Sequence, residues 1–426
     1  RLFFGVVSAL CLCIVPVLAQ PTSRSPLAPP PNGPRSTELQ MHVLRNATVH
    51  PDPDTTWESA VIEIDAGRIV RVVRSSDGYQ APAGAREHDC TGLHIYPGFI
   101  DAFVAIDAPD LDAHRPGAHW NPWVTPDRRV SASPGLSAEI ASNLRGLGFT
   151  AAAIAPDEGI FAGQGAVVSL GEAPGDKSSA FERLYADSVF HTVHFETGSW
   201  TTMRYPTSHP GAVALMRQTL SDAEYQARKQ EQGDNALTPL EDPKGPFLLF
   251  DCERELEVLL AADIAREFGR QAVVVENGLS FKWLDAIADT GMPVVVALRY
   301  PRKPDVSTPA KAEEIDLGDL MTWEHAPANA ARLAQQGVRI AITASKLPKG
   351  AKFHEHLREA IEAGLPERDA LAALTTTPAE VLGVSDQVGR IAPGLRANLV
   401  VASGPIFDKK SEIRAVWIDG RRHHLA

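Results

Sequence analysis

Short apolar runs recur through the middle of the chain, separated by stretches with a helical period. The runs are 95–107 (IYPGFIDAFVAID), 149–155, 165–170, 188–195, 247–252, 272–276, 293–298 and 338–345. Most are apolar almost throughout rather than alternating, which is the pattern of strands buried on both faces. Helical periodicity is clearest in 255–268, 327–336, 353–363 and 366–374. Eight such strands alternating with helices predict an α/β fold, a (β/α)8 TIM barrel. A doubly wound sheet competes with it, but no Gly-rich phosphate loop follows the first strand.

Both ends of the chain change style. MHVLRNATV (41–49), SAVIEI (59–64) and GRIVRVV (67–73) read as strands, the last two joined at Asp65-Ala66-Gly67 by a hairpin-like turn. ANLVVAS (397–403) and IRAVWI (413–418) repeat the pattern, and Asp419-Gly420 turns into a final strand. Neither end has enough strands to bury a face alone, so the two are expected to pair in one composite β-sandwich. The resulting division is 1–19, 20–38, 39–96 plus 388–426 for the composite sandwich, and 97–387 for the barrel.

Residues 2–19 form an apolar run with Arg1 ahead and Val17-Leu18-Ala19 behind, interrupted by Gly5, Ser8 and Pro16. This reads as a secretory signal peptide and implies a secreted or periplasmic protein, with 20–38 as a flexible linker. An arginine at the first position reads as a fragment or a displaced start. Two of the four cysteines lie in the leader; Cys90 and Cys252 remain, for a disulfide or for simple burial. A net charge of −12 without a Lys/Arg cluster excludes nucleic acid and anionic membrane as main partners.

Three segments carry a family resemblance. PGFID (97–101), GRIAPGLRANLVV (389–401) and ALAALTTTPAEVLGV (370–384) resemble, in order, the opening strand, the return strand and the last barrel helices of the amidohydrolase superfamily; Asn398 stands where that family usually has Asp. The resemblance implies a barrel beside a composite domain. It also implies hydrolysis of C–N bonds in linear or cyclic amides by water bound to a divalent metal such as zinc. The family's His-x-His follows PGFID, and here those positions are Phe103 and Ala105, on one face with Asp101 by the period of two. No lysine falls in 188–195, where the bridging lysine would lie. Asp251 stands at a histidine position, Glu276 or Asn277 at the next, and Ala344-Ser345 where Thr-Asp would provide the base. The resemblance thus brings a metal cofactor while the residues offer no ligand set.

Asp251 and Glu276 remain as weak catalytic candidates, two carboxylates at the carboxyl ends of consecutive strands, where barrel active sites sit. Such a pair shares a proton or holds a hard cation; the alternative is that each caps a following helix or pairs with Arg254, Arg299 or Lys346. His191 and His194, three apart on a strand, face opposite sides, and His354 and His356 do not converge on a helix. No Gly-x-Ser-x-Gly elbow is present. His119, Trp120 and Trp123 form an aromatic loop that either grips a ring or staples the loop to the body. WNPWVTPDRRV (120–130) and GIFAGQGAVVSL (159–170) resemble a subset similar to imidazolonepropionases, in which a barrel with degenerate ligands precedes an intact one. Two functions therefore stand: a C–N hydrolase acting on an unknown small molecule, or a pseudoenzyme that binds or scaffolds an active amidohydrolase homologue or a further C-terminal domain.

Overall fold

The computed structural model describes residues 41–75, 78–132, 135–171, 184–197, 205–229 and 235–423. The expected signal peptide and linker lie outside the described residues. So does His424.

The two chain ends build one sheet. Its strands are β1 (His42–Asp52), β2 (Thr55–Asp65), β3 (Arg68–Arg74), β4 (Arg86–Asp89) and β5 (His94–Pro97) from the first end. From the last end come β14 (Leu399–Ala402), β15 (Ile413–Ile418) and β16 (Arg421–His423). The order is β16-β15-β14-β5-β1-β2-β3, with β4 beside β1. Ladder bonds run through all eight strands as a single sheet, where a sandwich was expected. The ends join at β5 and β14, antiparallel, with Ile95 opposite Val401 and Pro97 opposite Leu399. Both hairpin turns use left-handed backbone: Ala66 and Gly67 (φ 46° and 82°), Asp419 and Gly420 (φ 50° and 74°). That twist matches the flanking strands. The turns touch, since a Cβ on Gly420 would lie 2.6 Å from the Gly67 Cα.

The barrel sheet holds β6 (Phe99–Ile106), β7 (Phe149–Pro156), β8 (Phe161–Ser169), β9 (Leu184–His194), β10 (Phe247–Asp251), β11 (Ala272–Val275), β12 (Val294–Ala297) and β13 (Ile340–Thr343). They neighbour one another in chain order. Seven run parallel, but β8 is antiparallel to both β7 and β9. This corrects the strict strand–helix alternation. Only residues 157–160 separate β7 from β8, and a parallel crossover needs about a dozen residues. The ladder stops at β13 and β6, and side chains close that seam. The Thr343 hydroxyl donates to the Phe103 carbonyl at 2.7 Å, and the Ala344 amide donates to the Asp101 carboxylate at 3.1 Å.

Helices α1 (Ala138–Gly146), α2 (His209–Lys229), α3 (Glu255–Glu267), α4 (Leu284–Ala288) and α5 (Pro309–Glu313) punctuate the barrel, followed by α6 (Leu317–His325), α7 (Asn329–Gln335), α8 (Phe353–Glu362), α9 (Glu367–Leu374) and α10 (Thr376–Val381). Short polar side chains start several of them: Ser137 accepts from the Ile140 amide and Asp316 from the Asp319 amide. The strands are apolar on both faces because each face has a core. Phe99, Phe149, Leu248, Val274 and Ile340 pack outward with Val258, Leu333 and Leu357 of the helices. Ile100, Ala151, Leu249, Val273, Val295 and Ala341 pack inward and fill the barrel. On β6 the alternation breaks: Ala102 and Phe103 both belong to the inner core, Val104 to the outer one, and the pairing with β7 slips between Asp101 and Val104. The expected single face of Asp101, Phe103 and Ala105 is therefore interrupted by a bulge.

Candidate functional site

The carboxyl ends of β9, β10 and β13 converge on one buried carboxylate. Asp251 ends β10, and the parallel register sets it opposite His194 on β9. Lys346 follows β13 in a left-handed conformation (φ 61°). From there its Nζ donates to Asp251 Oδ1 and, at 2.8 Å, to Glu253 Oε1. The ammonium also lies 5.9 Å from the centroid of the Phe103 ring. Asp251 Oδ2 is 3.6 Å from His194 Nδ1, and both side chains are buried. His194 Nε2 stands 3.2 Å from the Pro156 carbonyl, an acceptor, so this nitrogen carries a proton and donates.

The electrostatics follow from this packing. Burial alone would raise the Asp251 pKa, but the His194 contact and the Lys346 charge outweigh it and hold the carboxyl below its usual range. Burial would lower His194, yet Asp251 and Glu196 raise it above an ordinary imidazole. Lys346 is likewise raised by Asp251 and Glu253 against burial. The arrangement is a carboxylate between an ammonium and an imidazole.

This donor set does not fit a catalytic divalent metal, which needs three or more convergent ligands. Phe103 offers no donor and is buried in the inner core; Ala105 is exposed. Ser345 is half-buried, and its amide donates to the Thr343 hydroxyl at 2.9 Å. Asp251 is already neutralised by Lys346. Among the described residues no group of three His, Cys, Asp or Glu side chains is placed to hold a metal ion.

Asp251 and Glu276 are not brought together by any shared partner. Glu276 is buried, and its Oε2 accepts from the Gly278 amide at 2.7 Å and the Ser280 hydroxyl at 3.0 Å. Its Oε1 accepts from Asn329 Nδ2 at 3.2 Å. It ties the turn 277–283 to the start of α7, and burial lifts its pKa to about 7 despite those bonds. Of the basic partners weighed for Asp251, Lys346 is the one it has. Arg299 reaches Glu253 instead, at 3.7 Å. His191 does face away from His194, toward the Pro239 carbonyl at 3.1 Å. Cys90 and Cys252 are free and buried. The contribution of His194 and the seam made by Asp101 and Thr343 were missed in the sequence; equal offsets from the carboxyl ends of neighbouring strands were the available signal. Asp101 is wholly buried, and burial raises its pKa to about 6. Among the described residues no helix is long and apolar enough to cross a membrane.

Residues 286–422 match the model of the Amidohydrolase family, a range that holds β12, β13, Lys346, β14 and β15. Over 58 residues the chain is 43% identical to Amidohydrolase tasK of Hapsidospora irregularis; the match takes in 13% of this chain and 6% of that protein's length. Among solved structures, an amidohydrolase from Thermotoga maritima MSB8 superposes with a TM-score of 0.66 at 22% identity, covering 90% of this chain and all of the other. Molinate hydrolase superposes with a TM-score of 0.51 at 13% identity, covering 91% and 95%. At such identities the likeness is one of fold. The resemblance drawn from 97–101, 370–384 and 389–401 is borne out, and two of those segments lie inside the matched range.

Proposed function

We propose that this amidohydrolase-like chain is a metal-independent barrel that binds or scaffolds and does not hydrolyse C–N bonds. The observation that carries the reading is Lys346 reaching back across the carboxyl end of the barrel to Asp251 and Glu253. An ammonium supplies positive charge there but has no coordination position for water, so it does not generate a hydroxide nucleophile near neutral pH. Phe103 and Ser345, at positions matched by resemblance to a metal ligand and to the base, supply neither role. The family resemblance by itself favours C–N hydrolysis, and the chemistry of these side chains weighs against it. The proposed partner is an active amidohydrolase homologue or a further domain, met in a secreted or periplasmic setting.

The test is turnover by the purified full chain on amide, dipeptide and imidazolone substrates, with added zinc or manganese and with chelator. No chelator-sensitive turnover is expected. Chelator-sensitive turnover that Asp251→Asn abolishes while circular dichroism is unchanged would refute the proposal.

A further inference from the structure

The loop after β6 builds a second feature. Residues 123–129 are laid against the start of β8: Val124 bridges to Phe161 and Arg129 to Gln164, both in parallel. The Gln164 amide donates to the Arg128 carbonyl at 2.8 Å, and Gln164 Nε2 donates to the Pro126 carbonyl at 2.9 Å. Gly163 permits this closeness, since a Cβ there would lie 2.7 Å from the Arg128 carbonyl oxygen. Arg128 is thus fixed at its backbone. Its side chain faces an open groove of about 330 Å³ lined also by Asp110, His119, Asn121, Trp123 and Glu158.

Arg128 has a loose ion pair with Asp110 and a buried Nε without a hydrogen bond. Its side chain is only 9% exposed. The carboxylate paired with it, Asp110, stands 3.6 Å from the guanidinium, beyond hydrogen-bond reach, and is 97% exposed. A guanidinium so far withdrawn from water needs bonded acceptors. The neighbouring Arg115 has them, held by Asp127 at 2.6 and 2.7 Å. His119 adds a second unsatisfied group: its Nδ1 stands 3.1 Å from the Asn121 amide and 3.2 Å from the Asn121 carbonyl, and its buried Nε2 has no partner.

The geometry points to a binding site for a small organic carboxylate, its two oxygens taken by the Arg128 fork and its apolar body laid against Trp123, Pro122 and Leu111. A planar carboxylate matches the guanidinium in a bidentate pair. Asp110 and Glu158 on the same groove oppose a dianion, which disfavours phosphate. Asp110 acts as the displaceable occupant of the Arg128 fork.

Calorimetric titration of the full chain with phenylacetate, and separately with inorganic phosphate, tests this. Phenylacetate should bind and phosphate should bind more weakly. Arg128→Met should weaken phenylacetate by about tenfold or more, the usual effect of losing a charge-assisted bond. Asp110→Asn, on a fully exposed side chain, leaves the fold alone and removes the competitor. It should tighten phenylacetate by about threefold to tenfold. Absence of phenylacetate binding to both wild type and Asp110→Asn would overturn the proposal. Unchanged affinity in Arg128→Met, or phosphate binding the tighter of the two, would overturn it as well.

Discussion

Replacing Lys346 by methionine keeps the bulk of the side chain and deletes the ammonium. Asp251, 10% exposed in its side chain, then keeps only His194 at 3.6 Å. Breaking a buried pair by removing one partner costs about 3–5 kcal/mol. Here the loss is smaller, since Lys346 is 15% exposed and the His194 ring still faces the carboxylate. About 2–3 kcal/mol is expected at pH 7, a fall in Tm of roughly 2–4 °C for a chain of this length. The pH dependence identifies the cause. Asp251 has a folded pKa below its unfolded one, so its contribution is present above the unfolded carboxyl range and is lost as pH falls through the folded value. The gap between wild type and Lys346→Met should be widest near neutrality and close in acid, below about pH 4. Lys346 has a raised pKa, so its contribution persists below the ordinary lysine range and disappears as pH climbs past the folded value. Differential scanning calorimetry from acid to neutral pH reads this directly. Adding Asp251→Asn to Lys346→Met should recover part of the loss, because no uncompensated charge is then buried. A gap that stays constant with pH, or a double variant whose losses simply add, would refute the pairing.

Glu276 gives the opposite sign. Its folded pKa is raised to about 7, so the buried carboxylate costs stability increasingly as pH rises from the unfolded value near 4.3 to the folded one. Relative to wild type, Glu276→Gln should gain by about 1–3 kcal/mol between pH 4.5 and 8 in chemical denaturation. A flat difference would show that the group is not buried as described. Gly420→Ala should cost about 1–3 kcal/mol in thermal denaturation, since its φ is 74° and the new Cβ meets the Gly67 Cα. A neutral result would mean that the two hairpin turns are not in contact.

The eight barrel strands and both chain-end groups were legible because continuous apolar runs and left-handed turn residues are local signals. The direction of β8 is not legible in its apolar run, which carries no direction and is plainest only from Gly165, whereas the strand begins at Phe161 and leaves a gap too short for a parallel crossover. Asp251 was found as a candidate by its place at a strand end, and Lys346 among its pairing options. Choosing between Lys346 and Glu276 as the companion of Asp251 required register. One strand end pairs with the next, and the bonds of Glu276 to Ser280 and Asn329 consume it locally. The bulge at Asp101 also escaped a period-two reading, because a single inserted residue reverses which side chains face inward.

At the carboxyl end of this barrel the Lys346 ammonium sits on Asp251. The most direct measurement is zinc retained per chain after loading and desalting, read by elemental analysis. The comparison is between wild type, Phe103→His with Ala105→His, and that pair combined with Lys346→Ala. Wild type and the double variant should retain far less than stoichiometric zinc, since two histidines fall short of a catalytic site's three ligands while Lys346 holds Asp251. Freeing Asp251 in the triple variant should raise retention. Stoichiometric zinc on wild type, or equal retention in the double and triple variants, would contradict the account.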